Sequence, residues 1–247
     1  MTVLAIIGGT GLTSLETLKI THRELVSTPY GEPSGPLIYG ELCDKPVVFL
    51  ARHGQHHTIP PHKINYRANV WALKQIGVEK LIAIAAVGGI GPEMAPGCLA
   101  FPEQIIDYTW GRKHTFYEDN LTHVTHIDFT HPYCETLRAD LMVAARQAAL
   151  EAREYGTYAA TQGPRLETAA EICRLERDGC DLVGMTGMPE AALAREIGLS
   201  YATCAVIANW AAGKSEEEIT MEVIQQQLVN GMDKVKLLLH QVISQLA

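Results

Sequence analysis

The sequence predicts a single α/β domain with a central mixed β-sheet flanked by helices. Three observations carry that expectation. Short β-rich apolar runs recur along the 247 residues, helical periodicities fill most of the intervals, and no repeat, low-complexity run or Ser/Pro-rich linker divides the chain. The domain is therefore expected to span 1–247.

The runs that read as buried strands are 4–7, 47–51, 81–87, 158–161, 182–185 and 201–208. The first begins the chain as an apolar stretch without a basic leader and runs into glycines, as a strand does and a signal peptide does not. Between the strands, 65–76 places Val70, Leu73 and Ile76 near one helical face. A long helix is expected over 132–154, opened by Pro132 and carrying Leu137, Leu141, Ala144 and Ala148. Two shorter ones are expected over 167–177 and 189–197, the second stopped by Gly198. A last helix is expected from Ser215 to the C-terminus, with Ser215 and Glu218 forming a capping box. The stretch 88–130 is loop-rich and departs from simple βα alternation, which argues against a purely parallel sheet.

A hydrophobic content of 47% and a charged content of 19% suit one large core. The net charge of -8 offers no general attraction to polyanions, so nucleic-acid and membrane-surface roles are poor fits and any phosphate must be held locally. The six cysteines (Cys43, Cys98, Cys134, Cys173, Cys180 and Cys204) form no close-spaced pair and read as buried thiols of a reducing compartment, so a cytoplasmic protein is expected.

Four motifs carry chemistry. Gly8-Gly9-Thr10-Gly11 follows the first strand, where glycine backbones let an anion approach and Thr10 can donate to it; a tight turn or a nucleotide-cofactor loop are its other readings. Ala51-Arg52-His53-Gly54 ends another strand, and arginine and histidine together suit phosphate oxygens. A polar loop, or a metal site at His53, His56 and His57, competes there, the latter without the helical His/Glu spacing or carboxylates such sites use. Gly184-Met185-Thr186-Gly187-Met188-Pro189-Glu190 joins a strand end to a helix start, a place for an anion. Ile207-Ala208-Asn209-Trp210 ends the last strand, at the edge where open α/β sheets bind ligands.

Together these stretches, with His57-Thr58, Asn65-Tyr66, Ala68-Asn69, Trp71-Ala-Leu-Lys74 and Gly163-Pro-Arg165, resemble the purine nucleoside phosphorylase family in its methylthioadenosine phosphorylase branch. The resemblance implies a homotrimeric α/β enzyme that cleaves a purine nucleoside with inorganic phosphate as co-substrate, without a metal or other cofactor. It places phosphate at Thr10, Arg52, His53 and Thr186, ribose at Met185, and the base at Asn209, Ala211 and Leu166, with Asn209 as the catalytic group. The 5' substituent falls to Met221, Ile224 and a neighbouring subunit's residues near His126 and Phe129.

Two departures from the branch matter. Its pair of aspartates around an aromatic is here Asn209-Trp210-Ala211, and its phosphate-side threonine is replaced at Ala85. An adenine amine donates and is served by carboxylates. A 6-oxopurine accepts at O6, and one asparagine can donate to O6 while accepting from protonated N7. Met221 and Ile224 suit a thioether methyl. The expected reaction is phosphorolysis of S-methyl-5'-thioinosine to hypoxanthine and 5-methylthio-α-ribose 1-phosphate. The alternatives are a general inosine/guanosine phosphorylase, a methylthioadenosine phosphorylase and, from another class, a non-catalytic purine-binding module.

Overall fold

A computed structural model describes residues 3–9, 19–119, 121–216 and 220–245. In chain order the elements are β1 (Val3–Gly8), β2 (Lys19–Glu24), β3 (Leu37–Leu42), β4 (Lys45–Ala51), α1 (Tyr66–Gln75), β5 (Val78–Gly89), β6 (Leu99–Ala100) and β7 (Gln104–Asp107). There follow α2 (Glu135–Gln147), β8 (Ala152–Arg153), β9 (Thr157–Ala160), α3 (Ala169–Arg177), β10 (Leu182–Gly184), α4 (Gly187–Glu196), β11 (Ser200–Trp210) and α5 (Met221–Gln245).

The strands form one mixed sheet in the order β2-β3-β4-β1-β5-β10-β9-β7, with β11 on the other edge of β5 and β6 and β8 beyond it. β1, β4, β5 and β11 run parallel, so their C-terminal ends share one edge. Antiparallel pairs (β2 with β3, β3 with β4, β5 with β10, β6 with β11) make the sheet mixed, as expected.

Alternation along the central strands explains why both faces are covered. Ala5 and Ile7, Val48 and Leu50, Leu81, Ala83 and Val87, and Ala205 and Ile207 pack in one core with residues of α1 and α4. Their neighbours Leu4 and Ile6, Val47, Phe49 and Ala51, Ile82 and Ile84, and Cys204 and Val206 pack in the other with α2 and α5. Arg52, one residue beyond Ala51, follows the same alternation onto the α1/α4 side.

Several sequence expectations are corrected. The helix expected over 132–154 is only Glu135–Gln147, because Pro132 precedes the Cys134 N-cap, which is itself tied to β11 by Cys134 N–H to the Tyr201 carbonyl. Ala149 takes a positive φ of 52° at its other end and Leu150 N–H bonds the Ala145 carbonyl, closing the helix before Ala152 and Arg153 pair with β6. The capping box belongs to α3, where Thr168 and Glu171 exchange bonds. Ser215 lies six residues before Met221, where α5 begins, and Glu218 lies outside the described residues. The strands β2, β3, β6, β7 and β8 are additional to those expected; β6 and β8 are only two residues long and β2 is exposed throughout, so neither length nor apolar pattern marks these three, whereas β3 is mostly buried. Of the cysteines, Cys98, Cys180 and Cys204 are buried, but Cys173 is exposed and Cys43 and Cys134 are half-buried. Gly198 does stop α4, with φ +66° and Leu199 N–H on the Ala194 carbonyl.

No helix among the described residues is long and apolar enough to cross a membrane.

α5 approaches β11 through Gly231, where a Cβ would overlap the Val206 side chain. Gly231→Ala is therefore expected to destabilise the protein by about 1–3 kcal/mol through overpacking, read as a lower urea midpoint with an unchanged slope. An unaltered midpoint would mean that α5 shifts off the sheet at no cost.

Candidate active site

The central strand β5 is the frame of the site. Along one edge it pairs with β11 from Lys80 to Gly89. Its other edge is shared: β1 pairs as far as Ala83, and β10 takes over at Gly88 and Gly89. Among the described residues, 84–87 thus have no strand neighbour on that edge. Ala86 is exposed although every other residue of 81–90 is buried, which marks where the sheet opens to solvent.

Arg52 fills the inner end of this gap. Its side chain is buried, with Nη1 donating to the Ile84 carbonyl at 2.9 Å and Nη2 to the Ile7 carbonyl at 3.3 Å. Nε and Nη2 grip the carboxylate of Glu190 at 2.7 and 2.8 Å, and Tyr201 donates to the same carboxylate at 3.0 Å. Glu190 itself is fully buried on α4. Burial opposes the charge on Arg52, and the Glu190 carboxylate more than offsets it, so the guanidinium pKa stands raised. The sequence offers Arg52 as a donor to phosphate oxygens; the structure also makes it one half of a buried ion pair. Four of its five N–H groups are engaged, leaving one on Nη1.

His53 is next to it, with Nδ1 donating to the Ile59 carbonyl at 2.8 Å in its neutral form and its ring stacked on His57 at 4.3 Å. Burial, with lesser contributions from Arg52 and His57, lowers its pKa to about 4. Neutral His53 therefore presents an acceptor at Nε2, rather than the side-chain donor that the sequence suggested. Both rings border Gly9, whose missing side chain leaves the β1 end accessible. Thr10 lies outside the described residues. Among those described, no group of three or more His, Cys, Asp or Glu is placed to hold a metal ion.

Beyond the gap, β10 delivers Met185 and Thr186. Thr186 is buried just ahead of α4, whose regular course is broken at Met188 by an extended backbone (φ -117°, ψ 140°); its hydroxyl makes no capping bond, and its N–H reaches the Tyr158 hydroxyl at 3.5 Å. Gly184 is required there because a Cβ would overlap that same hydroxyl. The Met185 side chain lies against Gly163. Asn209 sits opposite Gly88 after a bulge in β11, half-buried, with Nδ2 donating to the Trp210 carbonyl at 2.7 Å. That bond leaves one N–H and Oδ1 for a ligand.

The remaining expected residues are placed differently. Ala85 is buried in the core with Ala83 and Val87, and Ala86 is exposed. Ala211 is buried with Ile90, Ala159, Ile172, Leu175, Cys180 and Val183, so a carboxylate there would enter an apolar cluster. Leu166 is exposed on the loop after Gly163 and Pro164. His126 is exposed on the irregular segment before α2, Phe129 is partly buried against the core, and Ile224 is half-buried in the first turn of α5. Met221 opens α5, and its side chain lies outside the description. Sequence reasoning missed Ala86, Tyr158 and Arg112; only the odd exposure of Ala86 within a buried strand could be tied to a pattern, and that exposure is tertiary. A cleft of about 350 Å³ bordered by Cys134, Arg195, Ser200 and Tyr201 opens at the N-terminal end of β11, the opposite end from Asn209.

These strand-end groups lie along one edge of the sheet. The pattern of the phosphorylase superfamily matches residues 3–244. The chain belongs to the phosphorylase superfamily. It is 57% identical over 244 residues, 99% of each chain, to a protein of Pseudomonas syringae pv. tomato named a probable S-methyl-5'-thioinosine phosphorylase. It is 48% identical to the 6-oxopurine nucleoside phosphorylase of Pyrococcus furiosus, covering 96% of this chain and 90% of that one. Among solved structures, the methylthioadenosine phosphorylase of Schistosoma mansoni in complex with adenine superposes with a TM-score of 0.94 at 34% identity, covering 99% of this phosphorylase-superfamily chain and 92% of the other.

Two outcomes follow from the buried groups. Arg52→Met is expected to cost about 3–5 kcal/mol because it strands the Glu190 carboxylate, and Arg52→Met with Glu190→Met is expected to cost less than the single change. Urea unfolding of both tests this, and a single variant as stable as wild type contradicts the pairing. The second outcome concerns pH. An unfolded histidine titrates near 6.5 and folded His53 near 4, so between these values the unfolded chain binds the extra proton. The stability contribution is complete above pH 6.5 and is lost as pH falls toward 4. His53→Gln should flatten the slope of stability against pH in that window; identical slopes in both proteins would contradict it.

Proposed function

We propose that this chain catalyses phosphorolysis of S-methyl-5'-thioinosine, yielding hypoxanthine and 5-methylthio-α-ribose 1-phosphate in purine salvage. The observation that carries the base preference is Asn209. With one N–H held by the Trp210 carbonyl, its other N–H and Oδ1 form a donor–acceptor fork that matches O6 and a protonated N7. An adenine amine would meet a donor instead, and the position two residues on, Ala211, brings no carboxylate. The relative named for methylthioinosine, at 57% identity, supports the same reading.

In the reaction, the bond from C1' to N9 breaks and its electron pair passes to the purine. Phosphate bonds C1' from the opposite face, giving the inverted α-phosphate. The departing base takes a proton from solvent at N7, where Asn209 Oδ1 accepts its hydrogen bond, and the positive sugar is stabilised by phosphate held beside it. Phosphate is assigned to Thr10, the remaining N–H of Arg52, the Thr186 hydroxyl at the start of α4, and His53. Because His53 is neutral with Nδ1 engaged, its ring accepts from a protonated phosphate oxygen. Met185 borders the ribose and Leu166 the base. Met221, Ile224 and a neighbour's His126 and Phe129 are assigned to the 5' group in a homotrimer. The reaction as assigned uses no metal or other cofactor, only inorganic phosphate as co-substrate, and the cytoplasm is the proposed compartment.

A general 6-oxopurine nucleoside phosphorylase is the second reading, favoured by the 48% identity to the Pyrococcus furiosus enzyme of that name. Release of free base from methylthioinosine, methylthioadenosine, inosine and guanosine, each with and without phosphate, separates the readings. The expected result is phosphate-dependent release of hypoxanthine, faster from methylthioinosine than from inosine. Phosphate-independent release, or none from any substrate, contradicts phosphorolysis. Asn209→Asp should lower kcat/KM on methylthioinosine by about 5- to 150-fold, the equivalent of one lost hydrogen bond of about 1–3 kcal/mol. Unaltered kinetics would remove Asn209 from the base edge.

A further inference from the structure

We infer that Arg112 is a positioning residue for this reaction, holding the Met185–Thr186 turn in register with the loop that carries Leu166. The inference rests on the proposed phosphorolysis. Arg112 sits in the irregular segment between β7 and α2, buried except for a small fraction of its surface. Its Nη1 donates to the Met185 carbonyl at 2.8 Å, to the Met188 carbonyl at 2.6 Å and to the Tyr66 hydroxyl at 3.2 Å. Its Nη2 donates to the carbonyls of Thr161 and Gln162 at 3.2 and 2.8 Å, and Nε to Gln162 Oε1 at 3.1 Å.

The location of these acceptors gives them meaning. The β9–β10 ladder ends at the pair Ala160 and Gly184, and the next tie is Thr161 to the Gly184 carbonyl. Beyond it the two chains diverge into the segments that carry the proposed ligand contacts. Arg112 joins them where the sheet stops, bracketing Thr186 and Gly187 between the Met185 and Met188 carbonyls on one side and gripping Thr161 and Gln162 on the other. Gly163, next in sequence, lies against the Met185 side chain. The planar fork supplies several fixed donor directions at once, which a lysine cannot reproduce. Among the described residues no carboxylate pairs with Arg112, so its hydrogen bonds all serve backbone carbonyls, one amide and one hydroxyl. Misplacing a bound group by about 1 Å can cost on the order of 100-fold in rate.

The test uses the full chain assayed for hypoxanthine release from methylthioinosine, with KM and kcat expressed per folded molecule. Arg112→Lys is expected to raise the nucleoside KM and lower kcat, and Arg112→Ala to lower kcat/KM by roughly 10- to 100-fold. Methylguanidinium in the buffer should restore part of the Arg112→Ala loss. Leu141→Ala, a core truncation in α2 away from the site, should lower thermal stability and leave KM unchanged. If Arg112→Ala does not fold, Arg112→Lys decides. Kinetic parameters per folded molecule equal to wild type in the folded Arg112 variants overturn the inference, because a merely structural role would act only on the folded fraction. A wild type that releases no hypoxanthine would instead sink the proposed function.

Discussion

The structure turns on backbone carbonyls at the end of β1 and along β5, where β1 has ended and β10 has not begun. An opening in a sheet exposes peptide groups that the ladder no longer satisfies, and buried ones must find other partners. Arg52 supplies them for Ile7 and Ile84. A guanidinium in that position needs a counter-charge, and Glu190 provides it from α4. Tyr201, on β11, completes the carboxylate's bonding. One gap in a sheet therefore links β1, β4, β5, β11 and α4 through three side chains, Arg52, Glu190 and Tyr201. The fold and the site share the same interaction.

That sharing shapes the chemistry available to the gap. Because Glu190 neutralises it, Arg52 contributes direction and one remaining N–H more than net charge. An anion placed as proposed would draw its remaining donors from the Thr186 hydroxyl and from backbone near Gly9. His53 is kept neutral by burial and oriented by the Ile59 carbonyl, so it adds an acceptor. Such an arrangement favours a ligand that is both anionic and able to donate a proton. On the far side of the opening, the bulge in β11 turns Asn209 outward, and the Trp210 carbonyl fixes which way its amide points.

The parts that deliver these groups differ in how they were legible. The parallel core strands are buried on both faces and so read as continuous apolar runs, and the helices around them carry one apolar stripe each. Their ends brought Arg52, His53, Met185, Thr186 and Asn209 into view. The exposed edge strand β2 and the short β6, β7 and β8 lack that pattern, because exposure or lengths of two to four residues leave little periodicity to detect, and β3, between β2 and β4, has its apolar run broken by Gly40 and Glu41. Arg112 is invisible in the sequence for a related reason: it lies in a segment with no repeat of its own, and its partners are mostly carbonyls, which every residue has. Ala211 is a different case. Two positions past Asn209 it reads as part of the same edge, but the chain has left the strand and packs its methyl group in the core.

By itself the sequence determined the fold class, the strand and helix cores, the family and the short list of polar strand ends. These depend on local periodicity and on residue types that occur together in order along the chain. Only the tertiary structure decided that Arg52 is half of a buried ion pair, that His53 is a neutral acceptor, that Ala86 is exposed within a buried strand, and that Arg112 binds two segments together. The two arginines join residues tens to more than a hundred positions apart, and the state of His53 and the exposure of Ala86 depend on how much water the packing excludes, which no local pattern records.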